Sequence, residues 1–384
     1  MITSDKPASD VRALSEARSN PCPKANTRLG LGSGTAKGRS TAKLAALGVA
    51  SLLAVAACGS SSSSQSSSTT AAPAVTSGAS ASTQAPAQNV SMTFTLDFLT
   101  DGAHAPVYVA NSKGYFSSSG LHVTIQPTHG SQDSITDVAT GKSQMGLTDA
   151  GTLIKAIASQ HVPVTAVGIS LQTEPFSIVT LKSSGISTPS QLAGKTIGLA
   201  PATSDASFLP AFLSKVGLSS SQVHEVSLTP PELVPSLLDG KVAAVDEYGQ
   251  VFAKYSSQVN IVPWSKYGIN PLGTVYIANN SFLAAHPAAV KSFLAAAYKG
   301  LAYTEANPSS AAAIVAAADP GSAASYFDSE FAILKPYWAT KSSAGTYGHM
   351  TAADWTATQA LNIKYSIQTT SVPISQVYSN SYLP

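Results

Sequence analysis

Four short segments of the chain gather carboxyl groups, hydroxyls and aromatic rings at points where regular structure starts or stops. In the first, Asp97 and His104 bracket a loop, and Tyr108 follows His104 by one helical turn, so the last two side chains can share a face. Asp149, Gly151 and Thr152 form the second segment, and Thr203, Ser204 and Asp205 the third. Asp246, Glu247 and Tyr248 form the fourth. These groups suit reversible capture of a small polar solute. Tyr108 offers a ring to stack on and His104 a hydrogen-bond donor. Glu247 is the best placed carboxyl to bond an amidine-like edge at two points. Asp205 partly cancels the positive end of the helix it opens, which favours a neutral or amidine-like ligand over a sulfonate or carboxylate.

Each residue also has a plainer role open to it. Tyr108 can cover the core, and His104 can sit at a helix start. Asp149 and Asp205 fit helix N-caps, where Asp is common. Glu247 can be a solvated charge at a strand end.

Other chemistries find little support. There is no Gly-x-Ser-x-Gly, no His-Glu-x-x-His and no phosphate loop. The seven histidines lack zinc-like spacing. No enzyme activity, cofactor or metal is therefore expected. After Cys58 the chain carries 14 basic and 17 acidic residues. That balance gives no basic face for nucleic acid.

The elements that must position these segments alternate short β-branched runs with helical patterns, as in α/β units with mainly parallel strands. Met92 to Phe98, Gly120 to Pro127, Met145 to Leu147 and Val162 to Ser170 read as strands separated by helices. Lys195 to Leu199, His224 to Leu228, Val242 to Asp246 and Asn260 to Pro263 repeat that scheme. Apolar crossings near Ile178 to Leu181 and Thr274 to Ile277 divide the chain into two lobes joined by two strands. Residues 90–182 and 274–384 are assigned to the first lobe and 183–273 to the second, with a ligand cleft between them.

Upstream, Arg39 and Lys43 precede the apolar run Leu44 to Ala57, 14 residues long and too short for a permanent span. Residues 1–57 are read as a signal peptide with an extended n-region. Residues 58–89 follow as a linker, in which Ser60 to Gln88 are nearly all Ser, Thr, Ala, Gly, Pro and Gln and should behave as a flexible leash. Cys22 and Cys58 are the two cysteines of the whole chain. The ending Leu53-Ala54-Val55-Ala56-Ala57-Cys58-Gly59 resembles a bacterial lipobox, which implies a diacylglyceryl thioether on Cys58 and a tether at the outer face of the cytoplasmic membrane.

Several stretches together resemble one family, the bacterial extracytoplasmic solute-binding proteins of the sulfonate, nitrate and thiamine-pyrimidine-precursor type. They are Phe98-Leu99-Thr100-Asp101-Gly102-Ala103-His104-Ala105-Pro106-Val107-Tyr108-Val109-Ala110 with Lys113-Gly114-Tyr115-Phe116, then Thr188-Pro189-Ser190-Gln191-Leu192-Ala193-Gly194-Lys195-Thr196-Ile197-Gly198, then His286-Pro287 and the helical run to Asn307-Pro308. The resemblance implies a two-lobed type II periplasmic-binding-protein fold, monomeric, that closes on a small solute and delivers it to an ABC permease. The His-Ala-Pro-x-Tyr-Val-Ala form looks most like the pyrimidine-precursor and riboflavin branches. Sulfonate and nitrate follow as alternatives. An enzyme of the same fold builds the thiamine pyrimidine from His and pyridoxal phosphate, but that resemblance wants a Cys-rich iron motif, and no Cys follows Cys58.

Overall fold

The computed structural model describes residues 89–201, 203–343 and 345–384. The leader, Cys58 and the leash lie outside the described residues. Strands and helices are numbered here in chain order.

Short apolar runs flanked by turn residues give two five-stranded sheets. The first contains β1 (Val90–Thr95), β2 (Leu121–Gln126), β3 (Met145–Asp149), β4 (Val164–Ile169) and, returning late in the chain, β10 (Thr274–Asn279). Its order is β2-β1-β3-β10-β4. The second contains β5 (Phe176–Leu181), β6 (Thr196–Leu199), β7 (His224–Ser227), β8 (Ala244–Tyr248) and β9 (Val259–Pro263), in the order β7-β6-β8-β5-β9. In the first sheet β1 runs parallel to β2 and β3, and β10 runs antiparallel to β3 and β4. The second repeats this pattern, with β5 as the reversed strand. Each sheet thus has four strands in one direction and one, contributed by a crossing, in the other.

One boundary differs from the sequence reading. Phe176–Leu181, expected in the first lobe, pairs with β8 and β9 of the second sheet. An apolar run buried on both faces fits either sheet, and its partners lie more than sixty residues downstream, so local sequence does not choose between them. The first crossing therefore falls at 170–175.

The helices are α1 (Ala105–Ser112), α2 (Ser131–Ala139), α3 (Ala150–Gln160), α4 (Ser204–Lys215), α5 (Pro230–Leu238), α6 (Asn280–Ala285), α7 (Pro287–Ala306), α8 (Pro308–Ala318), α9 (Ala324–Leu334) and α10 (Ala352–Lys364). None of the described helices is long and apolar enough to cross a membrane. Caps fix their starts. Asp149 accepts the Thr152 N–H ahead of α3, and Thr229 and Glu232 form a capping box ahead of α5. In the first core Phe293 of α7 stacks between Phe94 and Phe116, with ring centroids 4.8 Å from each. In the second, Phe212 of α4 stacks on Trp264 at 4.7 Å, and Phe176 meets the same indole edge-on at 5.2 Å.

The crossings bind each other. Thr173 and Leu272 form an isolated antiparallel bridge, and a side chain on Gly273 would place its Cβ 2.3 Å from the Leu171 carbonyl oxygen. Helix α10 straps the junction. Trp355 is buried in the first core, while Leu361 and Tyr365 pack on the second. Thr358 Oγ1 accepts the Leu272 N–H at 2.9 Å, and Asn362 Nδ2 donates to the Gly151 carbonyl at 2.9 Å.

Candidate functional site

In open α/β sheets the carboxyl ends of the strands, and the amino ends of the helices that follow, face a crevice. Here four such junctions converge between the lobes: β1 to α1, β2 to α2, β6 to α4, and β8 to the 3-10 turn Gly249–Tyr255. Of the residues singled out in the sequence, Asp97, His104, Thr203, Ser204, Asp205, Glu247 and Tyr248 line the cleft.

His104 is held between two carboxyl groups. Its Nε2 lies 2.9 Å from Asp97 Oδ1, and its Nδ1 lies 3.0 Å from Asp101 Oδ1. The neutral ring has a second option, accepting the Asp101 N–H on Nδ1 at 3.1 Å while Nε2–H donates to Asp97. Burial disfavours the imidazolium, but the Asp101 charge and the bonds to both carboxylates outweigh it and hold the His104 pKa well above its usual value. Burial acts on Asp101 in the opposite sense to its partners. The His104 charge, with bonds from His104, Gln250 and Ala103, nevertheless brings the Asp101 pKa down. Gln250 supplies the link to the second lobe, its Nε2 donating to Asp101 Oδ2 at 2.9 Å.

The acids around this pair have raised pKa values. Burial pushes Asp205 up to about 6, with a further contribution from the Asp149 charge. Glu247 is raised well above the carboxylate range by burial and then by Asp205. Glu174 is raised by burial and then by Asp149, and its Oε2 accepts the Tyr248 hydroxyl. Asp205 Oδ1 and Asp149 Oδ2 are buried without a hydrogen-bond partner. Buried acceptors in that condition carry a free-energy penalty, which at Asp205 in the cleft wall a donor from a ligand would relieve.

Among the described residues neither lysine nor arginine lines this cleft. The described part of the chain contains no arginine at all. Among the described residues no group of three or more His, Cys, Asp or Glu is arranged to hold a metal ion.

Tyr108, Asp149, Gly151 and Thr152 stand behind the cleft wall rather than in it. The Tyr108 hydroxyl bonds Thr100 Oγ1 at 2.8 Å while its ring packs on the first core. Asp149 caps α3 by accepting the Thr152 N–H at 2.7 Å. Gly151 does permit a close approach, but to protein: a Cβ there would lie 2.7 Å from the Phe208 ring of α4. Sequence reasoning missed Asp101, Ser131 and Thr274 in the wall, and Gln250 and Glu174 just behind it. The spacing Asp101-x-x-His104, a capping box with His in the third position, was the available signal for Asp101. Glu174 lies in a crossing segment and gave none.

Comparison with known proteins follows from this geometry. The family model described as "NMT1/THI5 like" matches residues 101–311, more than half of the chain. A 4-amino-5-hydroxymethyl-2-methylpyrimidine phosphate synthase of Schizosaccharomyces pombe is 28% identical over 229 residues, which cover 53% of this chain and 63% of that protein. This chain therefore spans less than two thirds of that relative's length. The riboflavin-binding protein RibY of Chloroflexus aurantiacus is 25% identical over 333 residues, covering 81% of this chain and 93% of RibY. In three dimensions the alkanesulfonate-binding protein SsuA of Xanthomonas axonopodis pv. citri, bound to MOPS, superposes with a TM-score of 0.63 at 15% identity, covering 76% of this chain and 99% of SsuA. At that identity the likeness concerns the fold alone. The chain thus has the two-lobed periplasmic-binding-protein fold and belongs to the NMT1/THI5-like family.

Proposed function

We propose that this protein is the solute-binding subunit of an ABC importer, tethered by a lipid on Cys58 at the outer face of the cytoplasmic membrane, and that it captures a thiamine pyrimidine precursor or a related nitrogen heterocycle. The observation that carries the ligand class is the composition of the cleft. Asp97, Asp101, Asp205 and Glu247 line it without a lysine or arginine. A sulfonate or nitrate entering there would face the Asp101 and Asp205 carboxylates, and among the described residues the one basic side chain in the lining, His104, already uses both ring nitrogens. An aminopyrimidine instead brings amino hydrogens to unpartnered carboxyl oxygens. Glu247, whose pKa is raised well above the carboxylate range, can donate as well as accept along its edge, and Asp205 can accept.

The same residues favour binding over synthesis. The described chain holds no cysteine, and no lysine faces the cleft to form an imine with a pyridoxal aldehyde. Thermal melting of the full chain tests the reading. The aminopyrimidine at 100 times its Kd should add about 2.7 kcal/mol of stability, and taurine or nitrate should add none. A melting shift with taurine and none with the pyrimidine would overturn the ligand assignment.

A further inference from the structure

Among the described residues, the phenyl and phenol rings in the cleft lining belong to Phe98 of the first lobe and Tyr248 of the second. Tyr108, expected as the ring on which a ligand stacks, is turned toward protein. Phe98 sits in the loop after β1, whereas Tyr248 ends β8 and is held on two sides. Phe176 stands opposite Tyr248 in the β5–β8 pairing and packs against its ring, with centroids 5.5 Å apart. Phe176 is buried and outside the lining, so it backs the ring from the protein side.

The second restraint acts on the hydroxyl. Tyr248 Oη donates to Glu174 Oε2, and Thr274 Oγ1 donates to Glu174 Oε1 at 3.4 Å. Glu174 is buried in the first crossing and does not line the cleft, whereas Thr274 lines it and opens β10 just past the second crossing. One carboxyl group thus joins a wall residue of each lobe through the segments on which the lobes are joined. Burial, and then the Asp149 charge, hold Glu174 well above the carboxylate range. A neutral carboxyl accepts from Tyr248 at one oxygen and exchanges a hydrogen bond with Thr274 at the other. An amide can copy both bonds; a methyl group can copy neither.

We propose that Glu174 is a positioning residue of the cleft, which fixes the Tyr248 hydroxyl while Phe176 backs the ring, so that Tyr248 presents a preset surface on which a flat ligand stacks. The stacking role rests on the heterocycle reading given above; the clamp on the hydroxyl does not. A ring already held in its bound orientation has little rotamer freedom left to lose on binding, and affinity gains by that amount.

Two measurements on the full chain test this. The first is proton magnetic resonance of the ligand-free protein. A Tyr248 hydroxyl in a buried hydrogen bond exchanges slowly with water and gives its own signal, assigned by its disappearance in Tyr248→Phe. The signal should persist in Glu174→Gln and vanish in Glu174→Ala. The second is calorimetric titration with 4-amino-5-hydroxymethyl-2-methylpyrimidine. Glu174→Ala and Tyr248→Phe should each weaken binding about fivefold to tenfold, and Glu174→Gln should restore most of the loss. The double variant Glu174→Ala/Tyr248→Phe should bind no more weakly than either single one, because both changes remove the same restraint. Tyr248→Leu should cost more than Tyr248→Phe, since it also removes the stacking surface.

A hydroxyl signal that survives in Glu174→Ala would overturn the proposal. So would losses from Glu174→Ala and Tyr248→Phe that add in full, or pyrimidine affinity that neither change alters; in both cases the heterocycle reading would stand. If Glu174→Ala does not fold, Tyr248→Phe removes the same bond without a cavity in the crossing, and unchanged affinity in that variant overturns the proposal by itself. Native protein that shows the hydroxyl signal but gives no heat with the pyrimidine would remove the heterocycle reading and the stacking role together, and leave the clamp.

Discussion

Gln250 of the second lobe donates its Nε2 hydrogen to Asp101 Oδ2 of the first at 2.9 Å, so the carboxylate that holds His104 is also the point where the lobes meet. Gln250 is fully buried. A hydrogen bond to a charged group contributes about 1.5–3 kcal/mol, and here it joins the two lobes. Gln250→Ala should weaken ligand binding about tenfold or more, with little change in the melting temperature of the ligand-free protein. Calorimetry and a melting curve check this; unchanged affinity would show that the bond plays no part in closure.

The cleft acids give the ligand-free protein a pH dependence with a definite sign. The unfolded chain releases the Asp205 proton near 3.8, whereas the folded chain holds it up to about 6. The stability this gives at low pH is lost between those values, about 1.4 kcal/mol for each unit. The raised pKa of His104 works in the same sense, its contribution being complete below the unfolded value of 6.5 and lost as pH rises through the folded one. Asp101, with a lowered pKa, works the other way and loses its contribution as pH falls through its folded value. Melting temperatures of the ligand-free protein should therefore fall as pH rises from 4 to 6. Asp205→Asn should flatten that slope and raise the melting temperature at pH 7. A slope that Asp205→Asn leaves unaltered would contradict the assignment.

Gly151 and Phe208 make a second contact between the lobes that can be tested by adding bulk. A side chain on Gly151 would enter the Phe208 ring at 2.7 Å, and overpacking of this kind typically costs about 1–3 kcal/mol. Gly151→Val should hold the lobes apart, lowering ligand affinity at least tenfold and enlarging the radius of gyration seen by X-ray scattering. The far-ultraviolet circular dichroism should stay unchanged, because Gly151 and Phe208 lie on α3 and α4, outside the strands.

Much of this architecture is legible in the chain. Strands such as Met145–Asp149, buried at every position, read as apolar runs because their environment is uniform. The helix start at Asp149 reads from its cap. The bipartite cleft follows from the repeated strand–helix order. Other features depend on contacts far apart in sequence. Phe176–Leu181 joins the second sheet through partners at 244–248 and 259–263. Asp101 and Gln250 meet across 149 positions. Helix α10 straddles the two cores with Trp355 at one end and Tyr365 at the other. Tyr108 and Gly151 show the reverse error: their types suited a ligand, but their surroundings turn them toward protein.

The proposed tether makes a separate prediction. Cys58→Ala should release the protein from membranes and impair solute uptake by cells, while the purified protein keeps its affinity. Membrane fractionation and titration together check this. A drop in affinity would show that the amino-terminal region contributes to the site.

The central claim is that an acid-lined cleft without lysine or arginine selects a nitrogen heterocycle through Glu247. Calorimetric titration of the native protein and Glu247→Ala with 4-amino-5-hydroxymethyl-2-methylpyrimidine, and with taurine, tests it most directly. The account predicts heat of binding from the pyrimidine alone and at least a tenfold loss of affinity in Glu247→Ala. Binding of taurine with no response to the pyrimidine, or the same pyrimidine affinity in both proteins, would contradict it.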